Sequence, residues 1–220
     1  TFSFYFSSTN FAVQSTFMSE TIDHLNDLKE IRSLMERSSR FISLSGLSGV
    51  FAGLFALLGA GFAYILIEGL KSGKVWMSAE EVYLYLFMDA FIVLVLAIGA
   101  GLFFTIRQTK KKGLRIWDAT SKRLVINMAV PLAVGGFFCL ALLYYGLVGL
   151  IAPGTLIFYG LALLNGSNFT LKDIRNLAYC ELVLGVLATV FIGYGILFWA
   201  IGFGILHIVY GVVMYFKYEK

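Results

Sequence analysis

Four long stretches of the chain carry no Lys, Arg, Asp or Glu: Phe41 to Ile67, Ala90 to Ile106, Leu124 to Leu171 and Leu182 to Phe216. A membrane-spanning helix needs roughly 20 mainly apolar residues. The first two stretches fit one helix each, the second by starting ahead of Asp89. The last two are too long for a single crossing and predict hairpins. Gly146, Gly149, Pro153 and Gly154 can break the third stretch, and Gly193-Tyr194-Gly195 the fourth, because Gly and Pro mark chain reversals. The pattern predicts spans at about 41–67, 82–106, 124–146, 150–166, 174–193 and 196–216, with ends good to ~4 residues. The expected fold is an all-α integral membrane bundle of six transmembrane helices in three hairpins.

Ahead of the first span the pattern changes twice. Residues 1–17 hold five Phe and no charge and do not begin with Met. They lack the basic start and cleavage site of a signal peptide. The expectation for residues 1–18 is a disordered or non-native leader, with Met18 a candidate start. From Ser19, the residues Ile22, Leu25, Leu28, Ile31, Leu34 and Met35 recur three or four apart among charged neighbours, which predicts an amphipathic helix over 19–40. Such a helix lies on the cytoplasmic leaflet or docks a partner or a second copy of the chain. Residues 41–220 then form the transmembrane domain.

Composition agrees with a lipid solvent. The chain is 59% hydrophobic and 14% charged, with a mean hydropathy of +0.84, against about 25% charged in a soluble domain. The charges that remain are distributed unevenly. Four basic residues precede the first span, seven lie between spans 2 and 3 (Arg107 to Arg123), two between spans 4 and 5, and two in the tail. Only Lys71 and Lys74 fall on the other side. Cytoplasmic loops carry the Lys and Arg excess, so six spans with both termini inside is the expected topology. A five-span layout would put the basic tail outside. The net charge of +4 then reflects loops facing anionic headgroups rather than a nucleic-acid site. Arg107 to Trp117 reads as an orientation signal with an interfacial Trp anchor.

Cys139 and Cys180 fall in apolar stretches at opposite depths and read as small buried hydrophobes, not a disulfide. Asn165-Gly166-Ser167 and Asn168-Phe169-Thr170 match the glycosylation pattern but fall on the cytoplasmic side, where they stay unmodified. No Cys or His pair has metal-ligand spacing, and no phosphate-cradling or cofactor motif occurs, so no metal, cofactor or nucleic-acid partner is expected.

Two features remain for function. Small residues line helix faces: Ser45, Gly49, Gly53, Ala56 and Ala60 in span 1, Gly185 and Ala188 in span 5, and Ala200, Gly204 and Gly211 in span 6, which lets helices approach closely. Ionisable or polar groups sit within spans, where they are costly and mark function by default: Asp89, Asn127, Glu181 and His207. Asp89, Glu181 and His207 together could make a stepped proton or cation path. Singly buried, with Glu181 reaching Arg175, Asn127 or the interface, they would be structural. Pro131 removes a backbone donor beside Asn127 and could kink span 3. Thr170 and Asp173 read as the start of span 5, the Thr as cap.

Gly46-Leu47-Ser48-Gly49 and His207-Ile208-Val209-Tyr210-Gly211 resemble the serine and late-helix histidine motifs of rhomboid intramembrane proteases. The likeness departs in layout, because Ser48 lies in the first span rather than the fourth, and the family's second-helix His and Asn have no counterpart. Gly and Ser at this spacing equally make a packing face. A wider likeness comes from Arg40 to Gly49, Gly166 to Arg175, Gly193 to Ala200 and Gly202 to Gly211, which resemble uncharacterised small bacterial inner-membrane proteins over perhaps half the chain. That resemblance implies a bacterial inner membrane and brings no activity with it. The leading expectation is a non-enzymatic membrane protein, a scaffold or partner-binding subunit. The alternative is a small ion- or proton-coupled transporter or channel using Asp89, Glu181 and His207.

Overall fold

In a computed structural model, residues 44–74 and 76–220 are described. The leader and the amphipathic helix expected over 1–40 lie outside them. The described chain is all helical. Helix α1 covers Gly46–Lys71, α2 Ala79–Lys111, α3 Ala119–Tyr144, α4 Val148–Gly166, α5 Asp173–Val190 and α6 Ile192–Tyr218. All but α5 are long and apolar enough to cross a membrane. Asp173, Arg175 and Glu181 reduce the apolar character of α5.

Local chemistry sets most boundaries. Ser78 and Glu81 form a reciprocal capping box at the start of α2, and Asp118 caps α3 by accepting from the Ser121 amide at 2.6 Å. Gly73, Gly113 and Gly146 follow the ends of α1, α2 and α3 with φ of 64°, 66° and 73°. That left-handed geometry suits Gly and closes each helix with a Schellman turn, as in the Leu147 amide donating to the Leu142 carbonyl at 2.8 Å. The break before α6 falls at Phe191, just ahead of the expected Gly193-Tyr194-Gly195. Helix α3 continues through Pro131. Lys172 occupies the N-cap position of α5 without a side-chain cap of its own.

Helix α1 packs on α2 and α6, α4 on α3 and α5, and α6 on α4 and α5 as well. Its glycines bring α1 against α6 backbone to backbone. A Cβ on Gly53 would stand 2.6 Å from the Gly204 carbonyl, and one on Gly211 would stand 2.6 Å from the Val50 amide. Gly49 faces Gly211 and the His207 carbonyl, and Gly204 faces the Leu57 side chain. In lipid, where burial from water does not drive helix pairing, such close approach gains dispersion contact. Gly160 and Gly185 do the same between α4 and α5.

The start of α1 meets the end of α6. Glu219 accepts from the Gly46 amide and, at 3.3 Å, from the Ser45 hydroxyl, which places a carboxylate at the positive end of α1. Ser45 therefore donates to the cap instead of serving as one. Nearby, Lys217 and the Tyr218 hydroxyl both donate to Asp173 at the start of α5, at 2.9 and 2.6 Å. Burial acts to raise the Asp173 pKa, but these donors together hold it below the ordinary value of 3.8. A lowered carboxylate pKa contributes stability that is complete above the unfolded value and is lost as pH falls through the folded one. The protection factors of the amides of residues 215–220, which divide out the intrinsic pH dependence, are therefore expected to be high at pH 7 and to fall as the pH is lowered through the folded Asp173 pKa. Asp173→Asn should show low protection throughout.

Candidate functional site

Glu181 and His207 share one site inside the bundle. Glu181 lies on the α5 face toward α6 with 0% of its surface exposed, and His207 is 7% exposed. His207 Nδ1 stands 2.9 Å from the Gly202 carbonyl oxygen, and Nε2 stands 2.7 Å from the Tyr159 hydroxyl. A carbonyl can only accept, so Nδ1 carries the proton, and in the neutral ring Nε2 accepts from Tyr159. Glu181 Oε1 is 3.5 Å from the same Nδ1, close enough for an ion pair, yet neither carboxyl oxygen has a hydrogen-bond partner among the described residues. The Nδ1 proton is directed at Gly202 instead. A charge buried this deeply is costly unless it is paired, and His207 is the group placed to pair it.

The backbone builds this arrangement. Ala200–Leu206 is a π-helical segment within α6. Residues five apart in a regular α-helix point about 140° away from each other at 100° per residue. The wider π turn brings the Gly202 carbonyl under the His207 ring. π segments are rare and recur at functional sites. Position 202 has no room for a side chain, because a Cβ there would lie 2.6 Å from Glu181 Oε2 and 2.6 Å from Leu156 Cδ2. Gly202→Ala is accordingly expected to lower stability by about 1–3 kcal/mol, as overpacking does, read as a lower unfolding midpoint in detergent. Phe203 stacks on His207 with ring centroids 5.9 Å apart and touches Tyr159 and Trp199, making an aromatic wall beside the imidazole.

Beyond that wall lies a cavity of about 650 Å³. Tyr159, Phe203 and His207 line it, as do Ser45 and Gly46 of the α1 start and Thr170. Its flanks are α2, through residues such as Val93 and Ile98, and α3, through residues such as Leu132 and Gly136. Helix α2 packs mainly on α1, and α3 mainly on α4, so among the described residues these two flanks do not close on each other.

The remaining expected residues go elsewhere. Asp89 is half-buried against Gly59 of α1, where a Cβ would meet its carboxylate at 3.2 Å. It is not part of the Glu181 and His207 cluster, so the three-residue ladder is not assembled. Asn127 donates to the Arg123 carbonyl of its own helix at 2.8 Å. Arg175 donates to Ser167 and Asn168, so neither Asn127 nor Arg175 reaches Glu181. Ser48 donates to the Ser45 carbonyl, and His207 uses both ring nitrogens on other partners, so a rhomboid-like Ser and His pair is not formed. Cys139 is half-buried, but Cys180 is exposed rather than the buried hydrophobe expected; both are free thiols.

Sequence reasoning missed Tyr159 and Gly202. Tyr159 is one aromatic residue in an apolar helix and gives no signal alone. The only sign of Gly202 is its place in Gly202-Phe203-Gly204, five residues before the one intramembrane His.

Five apolar helices long enough to span a bilayer, packed around buried polar groups, define a multi-pass helical membrane protein. No family model, curated protein or solved structure matches the chain.

Proposed function

We propose that this is a six-span proton-handling membrane protein, a carrier whose working groups are Glu181, His207 and Tyr159. The reading rests on one observation: a fully buried carboxyl without a hydrogen-bond donor among the described residues, 3.5 Å from a histidine that is itself linked to a cavity-lining tyrosine. The geometry supports a balanced transfer. A hydronium ion reaching the cavity gives a proton to Tyr159 Oη, leaving water, as the tyrosine passes its own proton to His207 Nε2. Nδ1 releases its proton to Glu181, leaving the imidazole neutral in its other tautomer and the carboxyl neutral. One proton has then moved from cavity to carboxyl; net transport follows when the carboxyl releases it toward the opposite side and a flip of the imidazole ring restores the first tautomer. His is suited to this step because both ring nitrogens exchange protons near neutral pH.

Helix α5 is the sixth crossing in this reading. The contact of Glu219 with the α1 start supports an even number of passes, and the basic side is cytoplasmic. The membrane is the bacterial inner membrane, with anionic headgroups against the Arg107 to Arg123 connection. The partner-binding alternative depends on residues 19–40, outside those described.

The test is proton flux into proteoliposomes at a clamped potential. Wild type is expected to carry protons, and His207→Gln, folded and correctly inserted, to lose that flux. Equal flux in His207→Gln would remove His207 from the mechanism and the reading with it.

A further inference from the structure

We propose that the cavity between α2 and α3 binds an uncharged, hydroxyl-bearing amphiphile that arrives sideways from the lipid, with its hydroxyl at Tyr159. This deepens the proton-handling reading and rests on it for the role of Tyr159. A volume of about 650 Å³ suits a single organic ligand, since ligand pockets run from about 300 to 1,000 Å³. The described lining is aliphatic and aromatic over most of its length, with no Lys, Arg, Asp or Glu. An anionic head would find no countercharge there, and burying it alone is prohibitive. An unadorned hydrocarbon would leave the polar pole at Tyr159 and His207 unmatched.

Tyr159 is suited to a hydroxyl. Its proton is committed to His207 Nε2, which leaves the oxygen free to accept one. A ligand hydroxyl seated there donates a hydrogen bond to Tyr159 and extends the line of Tyr159, His207 and Glu181 into the cavity; it keeps its own proton, since an alkoxide would be an uncompensated buried charge.

The access route follows from the two walls. Gly101 of α2 and Gly136 of α3 both line the cavity, and a Cβ on either would meet nothing within 4 Å. Among the described residues nothing closes the flank between these helices, and that flank faces the hydrocarbon when the bundle spans a bilayer. An amphiphile dissolved in the membrane can enter there without crossing water.

The probe is a long-chain fatty alcohol carrying a mid-chain diazirine and a terminal alkyne, photolysed with the full chain in proteoliposomes and mapped by peptide mass spectrometry. Matched probes are the fatty acid at neutral pH, the alkane and a phosphatidylglycerol. Expected is adduct formation at lining residues of α2 and α3, strongest for the alcohol and competed by unlabelled alcohol. Gly136→Phe should remove these adducts by filling the space, and Tyr159→Phe should weaken alcohol capture about fivefold, the effect of one hydrogen bond. Equal capture of alkane and alcohol would show adventitious filling by lipid chains and overturn the proposal. Preference for the phospholipid or the fatty acid would overturn the uncharged class. Adducts at residues outside the cavity, unaffected by Gly136→Phe, would overturn the site. Labelling is read without flux. A protein that captures the alcohol but moves no protons overturns the proton-handling reading alone, and one that moves protons but refuses the alcohol overturns the ligand alone.

Discussion

Glu181→Gln is expected to stay folded and to lose proton flux by about 100-fold or more, the scale on which positioned acids and bases contribute to proton-transfer steps. The carboxyl has no hydrogen-bond partner to lose, so the amide removes a group that is costly to bury and supplies donors of its own. Thermal unfolding in detergent should therefore be unchanged or shifted upward. A structural carboxyl behaves the opposite way, because removing one member of a buried pair destabilises by several kcal/mol while leaving any transport intact. Asp89→Asn, measured beside it, should keep the flux, since Asp89 packs against Gly59 away from the cluster. Full flux in Glu181→Gln, or loss in Asp89→Asn alone, would move the proton route away from Glu181.

Gly211→Ala should be among the most damaging single-methyl changes in the described bundle, costing about 3 kcal/mol. Its Cβ would press on the Val50 amide at 2.6 Å and on the Gly49 carbonyl carbon at 3.0 Å. Main-chain atoms of a helix cannot rotate away as a side chain does, so α1 and α6 must separate along their length. Overpacking costs about 1–3 kcal/mol, and a backbone contact puts this site at the upper end. Gly99→Ala is the control. A Cβ there meets nothing within 4 Å, and Ala is favoured over Gly in a helix by about 0.5–1 kcal/mol, so this variant should be neutral or slightly stabilised. Unfolding midpoints of the two variants in the same detergent decide the matter. Equal midpoints would mean that the α1 and α6 crossing is not held by close backbone approach.

Much of the architecture was legible because lipid imposes a coarse rule on sequence. The uncharged stretches forecast α1 to α4 and α6 to within a few residues, and the hairpin breaks fell at Gly146 and close to Gly193. Small-residue spacing is likewise readable, since residues three or four apart share a helix face whatever that face meets. Gly49 and Gly53 could thus be assigned to a packing face before α6 was known to be their partner. The last polar segment was less clear, because Asp173, Arg175 and Glu181 make α5 look like a helix that only partly belongs in lipid.

The site was not legible in the same way. Periodicity places a residue on a face of its own helix, and it does not say which faces of different helices meet. It could single out Asp89, Asn127, Glu181 and His207 as polar groups in apolar surroundings, and so could not separate the pair that shares a site from the two that do not. Asn127 folds back on its own backbone and Asp89 looks across at Gly59. Only the packing of α4, α5 and α6 brings Tyr159, Glu181 and His207 together. A helical wheel drawn at 100° per residue also hides the π turn that sets Gly202 against His207. The sequence by itself determined that the chain is a membrane helical bundle and which residues are costly to bury. The tertiary structure decided which of them pair and that a cavity reaches His207 and Tyr159, because both depend on contacts between helices far apart in the chain.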